Sequence, residues 1–107
     1  MNYELTQFNS AEELARAAAS DWLKEVRAAS TGAPYCVALA GGRITGRFFS
    51  AVVEQAKGQH ISLAAIHFFW SDERCVPPTD PESNFTLARE RLCAHKKDVR
   101  IALAGLE

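Results

Sequence analysis

Two acids and an arginine stand together at Asp72, Glu73 and Arg74, just behind the apolar run Ile66–Trp70, IHFFW. A carboxylate there can bind hydroxyl groups or take part in proton transfer, and a neighbouring guanidinium keeps it ionised. Arg74 can also meet an anionic substrate or orient the acids. A second group lies upstream in LAGGRITGR, residues 39–47. Its glycine pair, Gly41 and Gly42, lets the backbone turn closely around a ligand. The helix that follows offers free N–H donors and a partial positive charge, which suits a phosphate. Thr45 can add a hydroxyl donor, and Arg43 or Arg47 a guanidinium. The lysine of a P-loop and the third-glycine spacing of a dinucleotide fingerprint are both missing. Each group has a plainer account as well, an ordinary strand-to-helix turn and a solvated ion cluster. The prolines Pro77, Pro78 and Pro81 favour function at the acids, because they stiffen a loop whose geometry must then matter.

Other reactive side chains fit less well. His67 sits inside the apolar run and reads as a core or semi-buried residue, while His60 and His95 read as solvated. Cys75 is near the acids, but no recognisable pattern pairs it with a histidine that would make it a nucleophile. Cys36, Cys75 and Cys93 are odd in number and far apart, which gives neither zinc-type pairs nor a secreted disulfide framework.

The elements that must position these residues follow from patterning. The chain has 107 residues, 48% of them hydrophobic, and predicts one packed domain over residues 1–107 or the N-terminal part of one. A formal charge of −1 argues against a nucleic-acid partner. No apolar run approaches the roughly 20 residues needed to span a bilayer. Residues 1–13 show neither a basic leader nor an apolar signal core, so a cytoplasmic protein with reduced thiols is expected. The segment YELTQF, residues 3–8, alternates and predicts a first strand. Ser10 and Glu13 read as a capping box, opening a helix whose inward face is Ala11, Ala15, Ala18, Trp22 and Val26. That helix should end near Ser30, with Gly32 in a left-handed conformation behind it. YCVALA, residues 35–40, reads as a strand buried on both faces. A helix with Phe49, Val52, Val53 and Ala56 on one side follows the glycines, and IHFFW makes the next strand. Asp80 and Pro81 predict the start of a third helix with Phe85, Ala88 and Leu92 inward. VRIALAG, residues 99–105, could open a further strand.

Such alternation means an α/β fold with a largely parallel sheet, helices on both faces and right-handed crossovers. Ligands of such sheets bind beyond the carboxyl ends of the strands, where both reactive groups fall. The last residues, ALAGLE, carry no helix cap or polar tail, and the sheet reads as truncated after the third helix.

Taken together, ALAGG after one buried strand and FFWSDERCVPPTDPESNFTLARERL after the next are similar to the glucosamine-6-phosphate isomerase/6-phosphogluconolactonase family, over residues 35–92. The stretch SDER followed by VP and DPESN resembles the lactonase branch more than the deaminase branch. The resemblance implies a Rossmann-like fold, a sugar-phosphate substrate, no metal or organic cofactor, and hydrolysis of 6-phosphoglucono-δ-lactone in the oxidative pentose phosphate pathway. It maps a phosphate loop onto Gly41, Gly42 and the start of the next helix, where Arg43 and Thr45 are the local donors. It gives Asp72 and Arg74 supporting catalytic roles. Glu73, Ser83 and Asn84 fall with the substrate-binding residues, the last two shaping the loop. Two departures stand out. Gly42 is followed by Arg43, Ile44, Thr45 and Gly46, where the family has a small hydroxyl residue and then Thr-Pro or a close variant. The family's catalytic histidine lies in a downstream G-x-D-G-H segment that is not among these 107 residues. Two other readings stay open: an amino-sugar-phosphate isomerase/deaminase of the same fold, and a non-catalytic sugar-phosphate sensor. Oligomeric state is not legible.

Overall fold

The computed structural model describes residues 2–29, 35–63, 66–93 and 100–101. Helix α1 spans Ala11–Ala28, strand β1 Tyr35–Leu39, helix α2 Arg43–Gly58, strand β2 Ile66–Trp70 and helix α3 Asn84–Ala88. A π-helical turn, Arg89–Cys93, continues α3, and a short strand β3 covers Arg100–Ile101. The three strands are parallel in the order β1-β2-β3, with no reversal of order among the described residues.

Ser10 caps α1 by accepting the Glu13 N–H at 3.1 Å. The Glu13 carboxylate reaches back to the N–H of Asn9 at 3.3 Å, one residue before the partner a capping box would use. The buried face of α1 is Ala15, Ala19 and Leu23, with Trp22 and Val26 packed beside it; Ala11 and Ala18 are exposed. The expected stripe is therefore rotated by about one residue, because Leu23 buries more apolar surface than Ala18 can. The helix ends at Ala29 in an extended conformation; Ser30 and Gly32 lie outside the described residues, as does His95.

The apolar stripe of α2 is buried as expected: Phe49, Val52, Val53 and Ala56, joined by Ala51. It packs with Leu39, Ile66, Phe68, Ala88 and Leu92 into one core. Trp22 ties three elements to α1, its ring lying 6.3 Å from Tyr35, 5.9 Å from Phe48 and 6.3 Å from Phe68. Edge and tilted contacts of this kind add about 0.5–1.5 kcal/mol each beyond area burial.

Three expectations are corrected. Residues 3–8 form no strand, and Tyr3 and Leu5 are 88% and 79% exposed. Alternation specifies a strand only where a sheet face receives one row of side chains, and nothing described packs on Tyr3 or Leu5. Strand β1 is not buried on both faces: Cys36 and Ala38 are exposed. The described helices build their common core on the opposite face, that of Val37, Leu39, Ile66 and Phe68. Third, Asp80 and Pro81 do not open α3. They form consecutive turns, Asp80 N–H to Pro77 O and Ser83 N–H to Asp80 O, both 2.9 Å, and the helix begins at Asn84 with Ser83 as its cap. The helix starts there because its first N–H groups find a carboxylate from elsewhere in the fold.

Candidate functional site

The sheet register places Leu39 beside Trp70, so the chain leaves β1 and β2 at the same edge. Ser71 fastens the two exits: its N–H and its hydroxyl both donate to the Leu39 carbonyl at 2.9 Å. Gly41 and Gly42 then face Asp72, Glu73 and Arg74 across a narrow gap, and Asn84 fills it. The Asn84 side chain is almost wholly buried and donates its Nδ2 to the Asp72 carbonyl at 3.3 Å. A Cβ on Gly41 would stand 2.3 Å from Asn84 Oδ1, so this glycine is required by the approach of the asparagine. Gly42 is required by its backbone, with φ at +118°, and open space surrounds it.

Gly42 is the N-cap of α2 and supplies no side-chain acceptor, and the first turn of that helix carries no acid. It carries Arg43 instead, a cation at the positive end of a helix dipole. That arrangement costs stability until an anion offsets it. The Thr45 hydroxyl donates to the Gly41 carbonyl at 3.2 Å. Arg47 turns away to Glu12 at 3.3 Å, where Arg16 also pairs at 3.2 Å.

Glu73 is the most heavily engaged side chain at this edge. One carboxylate oxygen accepts the N–H groups of Arg74 and Asn84, each at 2.7 Å. The other accepts the Ser83 hydroxyl at 2.9 Å and the Phe85 N–H at 3.0 Å. Burial would push this carboxyl up, but the N–H groups of Asn84, Arg74 and Phe85 and the Ser83 hydroxyl together hold it below the ordinary carboxylate range. Ser83 accepts in turn from the Thr86 N–H at 3.4 Å, and the Thr86 hydroxyl donates to the Pro78 carbonyl. Trp70 meets Phe85 edge to face at 5.9 Å, anchoring the same helix start to β2.

A concavity of about 330 Å³ opens at this edge, lined by Gly42, Arg43, Arg74, Ser83 and Asn84 together with Pro81, Glu82 and Leu87. Of the candidate catalytic and binding residues named from the sequence, Gly42, Arg43, Arg74, Ser83 and Asn84 line it, and Thr45 does not. Gly41 and Glu73 lie behind those five, and Asp72 is exposed at the strand tip, outside the lining. Pro81 reads in the sequence as a loop stiffener and a helix start, and Glu82 and Leu87 carry no sequence signal; all three reach the concavity because α3 starts where it does. A larger groove of about 400 Å³ lies on the other side of Arg43, among Glu12, Arg47, Glu54 and Arg91. Of the strand-end residues Gly42, Arg43, Arg74, Ser83 and Asn84 it is lined by Arg43 alone, and its Arg47 is already paired with Glu12, so the strand-end concavity is the stronger candidate. His60 ends the turn behind α2 with φ at +55°, and His67 is half-buried within β2; neither lines the concavity. Among the described residues no group of three or more His, Cys, Asp or Glu side chains could hold a metal ion, and no helix is long and apolar enough to cross a membrane.

Arg43 and Arg74 give the concavity fixed positive charge, and buried polar groups shape its floor. That combination suits an anion with hydroxyl groups attached. Comparison with known proteins places the geometry in a family. Over 56 residues the chain is 41% identical to 6-phosphogluconolactonase of Treponema pallidum (strain Nichols), an overlap of 52% of this chain and 23% of that protein. It superposes on 6-phosphogluconolactonase of Trypanosoma brucei with a TM-score of 0.73 at 26% identity, covering 92% of this chain and 38% of that one. It also superposes on a monomeric glucosamine-6-phosphate deaminase with a TM-score of 0.77, over 94% of this chain and 42% of that one; at 16% identity this likeness shows the fold alone. The chain thus spans about a quarter of the length of the curated relative and about two fifths of the solved structures. Residues 9–104 match the family described as glucosamine-6-phosphate isomerases/6-phosphogluconolactonase. The chain belongs to that family.

Proposed function

We propose that this chain forms the sugar-phosphate-holding part of a cytoplasmic 6-phosphogluconolactonase, which hydrolyses 6-phosphoglucono-δ-lactone to 6-phosphogluconate. The observation that carries the reading is the concavity at the carboxyl ends of β1 and β2, with Arg43 and Arg74 on its walls, in a chain of this family. In this account the 6-phosphate lies against the uncapped N-terminus of α2, at Gly42 and Arg43, where N–H groups and the helix dipole favour it. Arg74 meets the phosphate or the developing oxyanion, and Asp72 at the strand tip binds ring hydroxyls. Ser83 and Asn84 close the floor. Fixing the ring in this way supplies much of the rate, because an activated lactone needs only a modest further push from water and a base. By family resemblance the base is a histidine outside these 107 residues.

The lactonase reading is preferred over the deaminase because the relatives with the higher identities are lactonases. The test is turnover of 6-phosphoglucono-δ-lactone by the full native chain, corrected for the spontaneous rate, beside release of ammonia from glucosamine-6-phosphate. The lactonase reading expects the first, with Asp72→Asn slower, and not the second. Ammonia release would favour the deaminase; binding of 6-phosphogluconate without turnover of either substrate would favour a sensor.

A further inference from the structure

We propose that Glu73 is a positioning residue, which sets Arg74 and Asn84 against the substrate by clamping the start of α3 to the tip of β2. The inference rests on the sugar-phosphate reading above and departs from the expectation that Glu73 itself binds substrate. Its two oxygens already accept from four donors, Arg74 N–H, Asn84 N–H, Phe85 N–H and Ser83 Oγ–H, at 2.7 to 3.0 Å. A carboxylate offers about four lone-pair sites, so little accepting capacity is left over for ligand hydroxyls. Nor does Glu73 line the concavity, whereas three of the four residues that donate to it do.

The clamp has a direction. Arg74 and Glu73 are consecutive at the end of β2, while Ser83, Asn84 and Phe85 come after the proline turns. By holding both sets at once, the carboxylate fixes where the loop returns. It thereby fixes the Asn84 carboxamide against Gly41 and the Asp72 carbonyl. An anion at an α-helix N-terminus is also where the dipole favours one. Glutamine cannot replace it. Each oxygen serves two donors, and a carboxamide must turn its NH₂ toward one of those pairs, setting donor against donor.

The experiment compares wild type and Glu73→Gln in the full native chain, by steady-state lactone hydrolysis and by amide hydrogen exchange. In the wild type, the Asn84 and Phe85 amides should exchange more slowly than the first-turn amides of α2, which no side chain caps. Glu73→Gln should open the Asn84 and Phe85 amides while leaving the interiors of α1 and α2 protected. It should also raise KM for the lactone by about tenfold or more, the scale of a lost charge-assisted hydrogen bond, with kcat changed less. A merely destabilised variant would lower the active fraction, and so kcat, at constant KM. Unprotected Asn84 and Phe85 amides in the wild type would overturn the clamp even if the variant failed to fold. Opened amides with unchanged KM would overturn the positioning role and leave the lactonase reading intact. No turnover by the wild type would overturn the lactonase reading, and this role with it.

Discussion

The two glycines of the first turn are adjacent yet required for different reasons, and substitution separates them. Alanine at Gly41 must displace the Asn84 carboxamide, whose Oδ1 would lie 2.3 Å from the new Cβ, and so break its bond to the Asp72 carbonyl. Gly41→Ala should cost about 1–3 kcal/mol, as overpacking does, and should weaken 6-phosphogluconate binding as well. Alanine at Gly42 meets nothing within 4 Å but must hold φ at +118°. Gly42→Ala should cost a similar amount, about 1–3 kcal/mol, purely as backbone strain. Chemical denaturation of the two variants, beside titration with 6-phosphogluconate, measures both effects. At this scale the glycine pair, Arg43 and Arg74 carry residue types and places that suggest chemistry, whereas Ser83 and Asn84 came into view only through the family resemblance. The employment of Glu73 was not legible. Three of its four partners, Ser83, Asn84 and Phe85, are ten or more positions away, and nothing in the local string SDER says that they return to it.

Among the elements, α2 was readable and α3 was not, for a common physical reason. The spacing of Phe49, Val52, Val53 and Ala56 is a local pattern, and burial follows it directly. The start of α3 depends on a carboxylate from the tip of β2, while Asp80 and Pro81 imitate a helix start and spend themselves on turns. Ser83→Ala removes both the cap of α3 and a donor to Glu73, and should cost about 1–2 kcal/mol. Asp80→Ala loses only a turn contact to the Glu82 N–H at 2.8 Å and should cost less than about 1 kcal/mol. Urea unfolding of the pair checks where the helix begins, since the reverse order would return the start to Asp80. The segment at residues 3–8 shows the limit of period-two patterning: alternation is present, but the partner that would make it a strand is not among the described residues.

For the molecule as a whole, the ionised state of Glu73 links the site to stability. Its folded-state pKa lies below the ordinary value of 4.5, so the unfolded chain takes up the proton first as pH falls. The stabilisation is therefore fully present above that value and fades as pH drops through the folded one. The stability gap between wild type and Glu73→Gln should hold steady from neutral pH down to about 5, then narrow in acid. Denaturant midpoints measured across that range test the sign, which is wrong if the gap widens in acid. The parallel order of the strands was legible from the alternation of elements, and the family resemblance from two loops taken together. The one-sided packing of the described sheet was not, because an apolar string such as YCVALA does not say which of its faces a helix will cover.

The central claim is that the strand-end concavity holds a sugar phosphate through Arg43 and Arg74. Calorimetric titration of 6-phosphogluconate into the wild type, Arg43→Ala and Arg74→Ala tests it most directly. Both side chains are exposed, so the variants should fold as the wild type does. Each lost charge-assisted contact should weaken binding by about 10- to 100-fold. Wild-type affinity in both variants would contradict the account.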